Sequence, residues 1–144
     1  MADIVHFRAG DPALAVWLPR CESLHRQLRT DLPAEYADQI AKILAGGAEL
    51  ALLHEDTIPR ALVMFRCYLN TFDGYRFYID DLVADSASPT GGHGKAMFEW
   101  CEAQARSRGC AYMALSSGVQ RERAHRFYFR QGMSISTFGF RKKL

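Results

Sequence analysis

The sequence predicts an α/β layered domain, with helices on both faces of a mostly antiparallel sheet that contains one parallel strand pair. Three observations predict it. Segments of strand and helix periodicity follow one another as β-α-α-β-β-β-α-β-α-β along the 144 residues. The three middle strands are joined by short turns, which suits an antiparallel meander. A strand–helix–strand crossover then follows, and such a crossover is right-handed and sets its two strands parallel. The length suits one domain over residues 1–144 with one core.

Asp3–Arg8 alternates and is the first predicted strand. Asp11 is a candidate N-cap with Pro12 at the first helical position. A helical region then runs to about Leu28, with Pro19 expected to kink or split it. Pro33–Leu44 is the second helix, with Tyr36, Ile40, Ile43 and Leu44 at helical spacing and Gly46-Gly47 as its stop. The meander strands are Ala48–His54, Pro59–Leu69 and Tyr75–Val83. The loop Ala84–His93 holds Ser86, Ser88, Pro89, Thr90, Gly91 and Gly92, which oppose any regular element. From Gly94 to Arg108 the pattern is an amphipathic helix. Met97, Cys101 and Ala105 face the sheet, and Lys95, Glu99, Glu102 and Arg106 lie on the polar stripe. Cys110–Ser116 is a buried strand, Ser117–Gln131 a helix with Ala124, Phe127 and Tyr128 on one face, and Met133–Phe140 an alternating last strand.

Composition removes several classes of function. A net charge of +2 is too small to argue for nucleic acid. No apolar run is long enough to span a membrane, and the N-terminus resembles neither a signal peptide nor a presequence. Cys21, Cys67, Cys101 and Cys110 fall singly, which fits reduced, mostly buried thiols in a cytoplasmic protein. The five histidines show no metal-ligand spacing, so no metal is expected.

The chain is organised around Tyr75–Ala105, which reads as strand, glycine loop and helix. A glycine loop entering a helix presents unpaired backbone N–H groups at the positive end of the helix dipole. That suits a phosphate or pyrophosphate. At the end of the preceding strand stand two adjacent acids, Asp80 and Asp81. Alternation sends them to opposite faces unless a bulge intervenes. Charges are seldom placed in an apolar strand without a partner.

The element order, Gly92-His93-Gly94 followed by Lys95-Ala96, and a late Phe127-Tyr128 pair resemble the GNAT superfamily of acyl-CoA-dependent N-acetyltransferases. The string AHRFYFRQG from Ala124 resembles the C-terminal block of small-amine acetyltransferases, including aminoalkylphosphonate N-acetyltransferases. Two positions depart from the family pattern. Pro89 stands where Gln or Arg is usual, and Arg121 where Asn is common.

The resemblance implies acetyl-CoA as acetyl donor and a small primary amine as acceptor, joined by direct attack in a ternary complex. It implies main-chain N–H groups of Gly91, Gly92, His93, Gly94, Lys95 and Ala96 on the pyrophosphate. It implies a strand that splays from its parallel neighbour, so that Leu82, Val83 and Ala84 pair with the pantetheine and an N–H near Val83 serves the thioester oxygen. Tyr128 is then the general acid for the thiolate, and Asp80, with Asp81 close behind, binds or deprotonates the ammonium. Arg121 or Arg126 would meet a coenzyme phosphate. His93 otherwise occupies a tolerant loop position, and Ser116 and Ser117 could touch either substrate. Arg66 and Arg76 are placed to meet an acidic group on the acceptor. The architecture leaves room for a homodimer through the last strand. A protein or peptide N-acetyltransferase and a non-catalytic, partner-binding acyl-CoA module are the alternatives.

Overall fold

In the computed structural model, which describes residues 2–89 and 91–144, nine elements follow one another. They are β1 (Asp3–Phe7), α1 (Leu14–Leu28), α2 (Tyr36–Ala45), β2 (Glu49–Glu55), β3 (Ile58–Asn70), β4 (Gly74–Ala84), α3 (His93–Ser107), β5 (Tyr112–Leu115) and α4 (Glu122–Arg130). Thr90, part of the predicted glycine loop, lies outside the described residues. The strands form one mixed sheet in the order β1-β2-β3-β4-β5, with β4 and β5 as its parallel pair. The other neighbours are antiparallel. The chain divides into two compact units, one ending at Ala114 and one covering residues 115–144.

In the first unit the sheet is sandwiched between helices, and strand alternation decides which side chain meets which helix. Met64 and Leu62 of β3 turn to one face. There they pack with Leu18, Cys21 and Leu24 of α1 and Tyr36, Ile40 and Leu44 of α2. Phe65 turns to the other face, stacked on Phe77 at 4.4 Å and edge-on to Trp100 of α3. Met97, Cys101 and Ala105 are buried along α3, as the amphipathic pattern predicts. The β2–β3 turn falls on Asp56 and Thr57, both at positive φ, the conformation that a two-residue hairpin connection needs.

Four expectations are corrected. Pro19 does not split the first helix; α1 runs unbroken through it. The carbonyl that loses its partner belongs to Ala15, and Ala15 and Pro19 are both exposed, so the orphan lies on the solvent side of the helix while Leu18, Cys21 and Leu24 hold the buried side. Asp11 caps the turn before α1, its Oδ1 accepting from Ala13 N at 2.9 Å, instead of standing directly at the helix boundary. In the second unit α4 starts only at Glu122, and residues 133–140 form no strand. Ile135, Phe138 and Phe140 are exposed there. Alternation specifies a strand only where one of its faces is covered.

Candidate active site

The register of β3 against β4 breaks at one point. Met64 pairs with Asp81 and Phe65 with Ile79, so Asp80 is the extra residue of a β-bulge. Ile79 faces α3 with Phe65. Alternation then sends Asp80 to the α1–α2 face, and the bulge keeps Asp81 on that face too, beside Met64. The two acids that simple alternation would separate are thus brought to one side of the sheet.

Their surroundings differ. Asp81 is nearly enclosed, and both of its carboxylate oxygens are occupied. Oδ2 lies 2.7 Å from Nε2 of His25, and Oδ1 accepts from Arg29 Nε at 2.7 Å. Burial pushes its carboxyl up, but the hydrogen bonds and charges of His25 and Arg29 prevail and hold it below the usual carboxylate range. His25 is 1% exposed, and its Nδ1 lies 2.8 Å from the Tyr36 hydroxyl. An ionised Asp81 accepts only, so His25 Nε2 carries a proton, and the Tyr36 hydroxyl, which can donate or accept, meets Nδ1. Burial drives the Tyr36 phenol far above its ordinary range, which keeps it a hydrogen-bond donor and not an acid. Asp80 is 37% exposed on its side chain, with Arg66 Nε at 3.1 Å from Oδ2. Its carbonyl accepts from Arg29 Nη2 at 2.9 Å.

Beyond the bulge, β4 outlasts its parallel neighbour. Ala111 N donates to Tyr75 O at 2.8 Å, and β5 has four residues against eleven in β4. A parallel partner that begins beside Tyr75 and is this short ends before Leu82–Ala84.

The loop into α3 is anchored at its start and under its end. Asp85 accepts from Gln27 Nε2, Ala87 N and Arg60 Nη1, all within 3.1 Å, and its own N donates to Arg60 O. The hydrogen bond from Gln27, with those from Ala87 and Arg60, holds the Asp85 carboxyl below its ordinary range. Gly92 is the N-cap of α3 at φ +68°, a left-handed conformation in which a side chain is strained. Helical geometry leaves the first-turn N–H groups of His93, Gly94 and Lys95 without an intrahelical acceptor, and Gly92 has no side chain to cap them. The Ala96 N–H is spent on Gly92 O and the Gly91 N–H on Ser88 O. His93 is not at a tolerant position. It is 7% exposed, with Nε2 3.2 Å from Glu55 at the end of β2. A Cβ on Gly91 would stand 2.3 Å from its ring.

Arg76 is engaged elsewhere. Its guanidinium lies over the rings of Tyr68 and Tyr78 and pairs with Asp73 at 3.2 Å. The open depression bordered by His6, Arg8 and Asp11 lies at the β1–α1 turn and contains none of the predicted site residues. Burial pushes the Cys21 and Cys101 thiols up to about 11 and about 12, which removes them as nucleophiles.

In the second unit, Arg121, Ala124, His125 and Tyr128 share the half-buried face of α4. Burial raises the Tyr128 phenol, and the charge and hydrogen bond of Arg121 partly offset this. His125 Nε2 lies 2.8 Å from Gly118 O.

Sequence reasoning did not single out His25, Arg29 or Tyr36 as site residues. Their signals were His25 and Tyr36 as polar groups among the core positions of two helices, and Arg29 as a basic residue at the end of the first.

Comparison with known proteins agrees with this architecture. Residues 11–133 match the acetyltransferase (GNAT) family. The chain is 34% identical over 119 residues to an uncharacterized N-acetyltransferase, YhdJ, of Bacillus subtilis, covering 81% of this chain and 84% of that one. It is 41% identical to the aminoalkylphosphonate N-acetyltransferase of Salmonella typhimurium over 51 residues, 35% of this chain and 33% of that protein. An aminoglycoside acetyltransferase from an uncultured soil metagenomic sample superposes with a TM-score of 0.81 at 13% identity, over 99% of this chain and 96% of the other, a likeness of fold alone. The chain belongs to the GNAT acetyltransferase family. Its activity class is acetyl-CoA-dependent N-acetyl transfer. No helix among the described residues is long and apolar enough to cross a membrane.

Proposed function

We propose that this protein transfers the acetyl group of acetyl-CoA to the primary amine of a small molecule, by direct attack in a ternary complex. A single domain over residues 1–144, working in the cytoplasm, carries the reaction. What supports the reading is one strand–loop–helix unit that presents Asp80 at a bulge and then a glycine-lined helix start. The N–H of the N-cap Gly92 and the first-turn N–H groups of His93, Gly94 and Lys95 hold the pyrophosphate, with Gly91 and Ala96 shaping the loop. Leu82, Val83 and Ala84 pair with the pantetheine through main-chain groups, and an N–H near Val83 takes up the charge that develops on the thioester oxygen.

Asp80, not Asp81, receives the ammonium and takes its proton directly or through water. Asp80 has an exposed edge and one exchangeable arginine, whereas Asp81 has both oxygens committed. Arg66, released from Asp80 by the incoming ammonium, can meet an acidic group on the acceptor, as an aminoalkylphosphonate would carry. Arg76 is already stacked and paired, so it takes no part. The free amine attacks the thioester carbonyl, its nitrogen gives up a second proton to solvent, and the tetrahedral intermediate expels the coenzyme thiolate. Tyr128 gives that thiolate a proton, with Arg121 beside the phenol to steady the phenolate that remains.

Steady-state kinetics of Tyr128→Phe with acetyl-CoA and a panel of small amines tests the assignment. A kcat lowered about 100-fold with KM little changed is expected. A variant as fast as the parent removes Tyr128 from the mechanism.

A further inference from the structure

We propose that His25, in the last turn of α1, and Arg29, its C-cap residue, are positioning residues that fix the bulge of β4 from which acetyl transfer is directed. The proposal rests on the acetyltransferase reading above.

A bulge residue is left out of the ladder, so its backbone groups need another partner. Here the Asp80 carbonyl finds one in Arg29 Nη2 at 2.9 Å, while Nε of the same guanidinium donates to the Asp81 side chain at 2.7 Å. One planar group therefore grips the main chain of one residue and the carboxylate of the next. The Asp80 carbonyl and the Asp81 N–H belong to one rigid peptide plane. Fixing the carbonyl toward α1 fixes that N–H in the opposite direction, and with it the course of the chain through Leu82 and Val83. Those are the residues whose main chain must meet the thioester and pantetheine.

The grip is itself held. His25, one helical turn before Arg29, pins the second oxygen of Asp81 at 2.7 Å, and the Tyr36 hydroxyl at 2.8 Å stops the imidazole from turning. The chain of contacts runs from Tyr36 of α2 through His25 of α1 to Asp81 at the bulge. A guanidinium is suited to this task because its N–H groups form a fixed fork. An ammonium in its place is a point charge without that fork. Arg29 is itself half exposed, so the interaction can be removed without opening the core.

The test uses Arg29→Met, Arg29→Lys and Tyr36→Phe, with kcat, KM for acetyl-CoA, melting temperature and amide hydrogen exchange at residues 81–83 measured for each. For Arg29→Met the expected result is kcat lowered about tenfold or more, with KM for acetyl-CoA within about twofold. Exchange at residues 81–83 should rise while the melting temperature stays close to that of the parent. Arg29→Lys should recover part of kcat, and Tyr36→Phe should lose about threefold through a loosened His25. Unchanged exchange at residues 81–83 in Arg29→Met overturns the proposal, as does a kcat loss that follows the loss of melting temperature across the variants. Should the parent transfer acetyl to no amine, the acetyltransferase reading fails on its own. Exchange then still decides whether Arg29 holds the bulge.

Discussion

The bulge of β4 and the loop that follows it hold their shapes by different means. At the bulge, His25, Arg29 and Arg66 meet two carboxylates, with Tyr36 of α2 behind His25, and the local strand sequence decides little of the result. At the loop, the work falls to main-chain N–H groups freed by a helix start, and the side chains that matter are absent ones, at Gly91 and Gly92. The glycine end of the loop is shaped by residues adjacent in sequence, and the loop's anchors alone reach farther, Asp85 to Gln27 and His93 to Glu55. The bulge is built from residues up to 56 positions apart, as between His25 and Asp81. Substitutions should therefore act on different quantities: coenzyme affinity at the loop, rate and stability at the bulge.

Gly92→Asp should have the largest effect on affinity. It forces a side chain into a left-handed conformation and puts a negative charge where the pyrophosphate is to lie. Titration calorimetry should show acetyl-CoA binding weakened about 100-fold. Unchanged affinity would break the comparison on the loop side. His93→Ala should act more mildly, weakening acetyl-CoA about fivefold by freeing the helix start from Glu55. Binding of acetyl-pantetheine, which lacks the pyrophosphate, should not change. Equal weakening of both would place the effect of His93 outside the cradle.

Glu49 supplies a control for stability alone. Burial pushes its carboxyl up, but hydrogen bonds from Arg108, Arg8 and His6 outweigh this and hold it at about 2. The unfolded carboxyl titrates near about 4.3. Its contribution is therefore complete above that pH and is lost as pH falls toward about 2. Glu49→Gln should flatten the fall of stability between those limits, by up to about 2 kcal/mol after allowing for solvent at the Arg8 side. Transfer at neutral pH should be unaffected. Chemical denaturation at a series of pH values reads this out, and a parallel pH dependence in parent and variant would contradict it.

The same contrast explains what the sequence could disclose. The glycine loop, α3 and the meander were legible because Gly92, Met97–Cys101–Ala105 and the turn at Asp56-Thr57 carry their causes locally. The adjacency of Asp80 and Asp81 was visible, but their common face was not, since a bulge depends on the register with β3. His25 reads as one polar residue in a helix until Asp81 is brought to it. Pro19 was misleading because the helix rule concerns a carbonyl, and the exposure of that carbonyl is a tertiary fact. The alternation of residues 133–140 was misleading in the other direction, because period two describes a strand only when a partner covers one face.

The most direct test of the central claim compares Asp80→Asn with Asp81→Asn in acetyl transfer to a small primary amine, with melting temperature measured alongside. Asp80→Asn should lose about 100-fold in kcat with its melting temperature nearly intact. Asp81→Asn should lose about 5 °C in melting temperature as His25 and Arg29 lose their charged acceptor, with the smaller loss of rate. The opposite pattern, an active Asp80→Asn and a stable but inactive Asp81→Asn, would contradict the account.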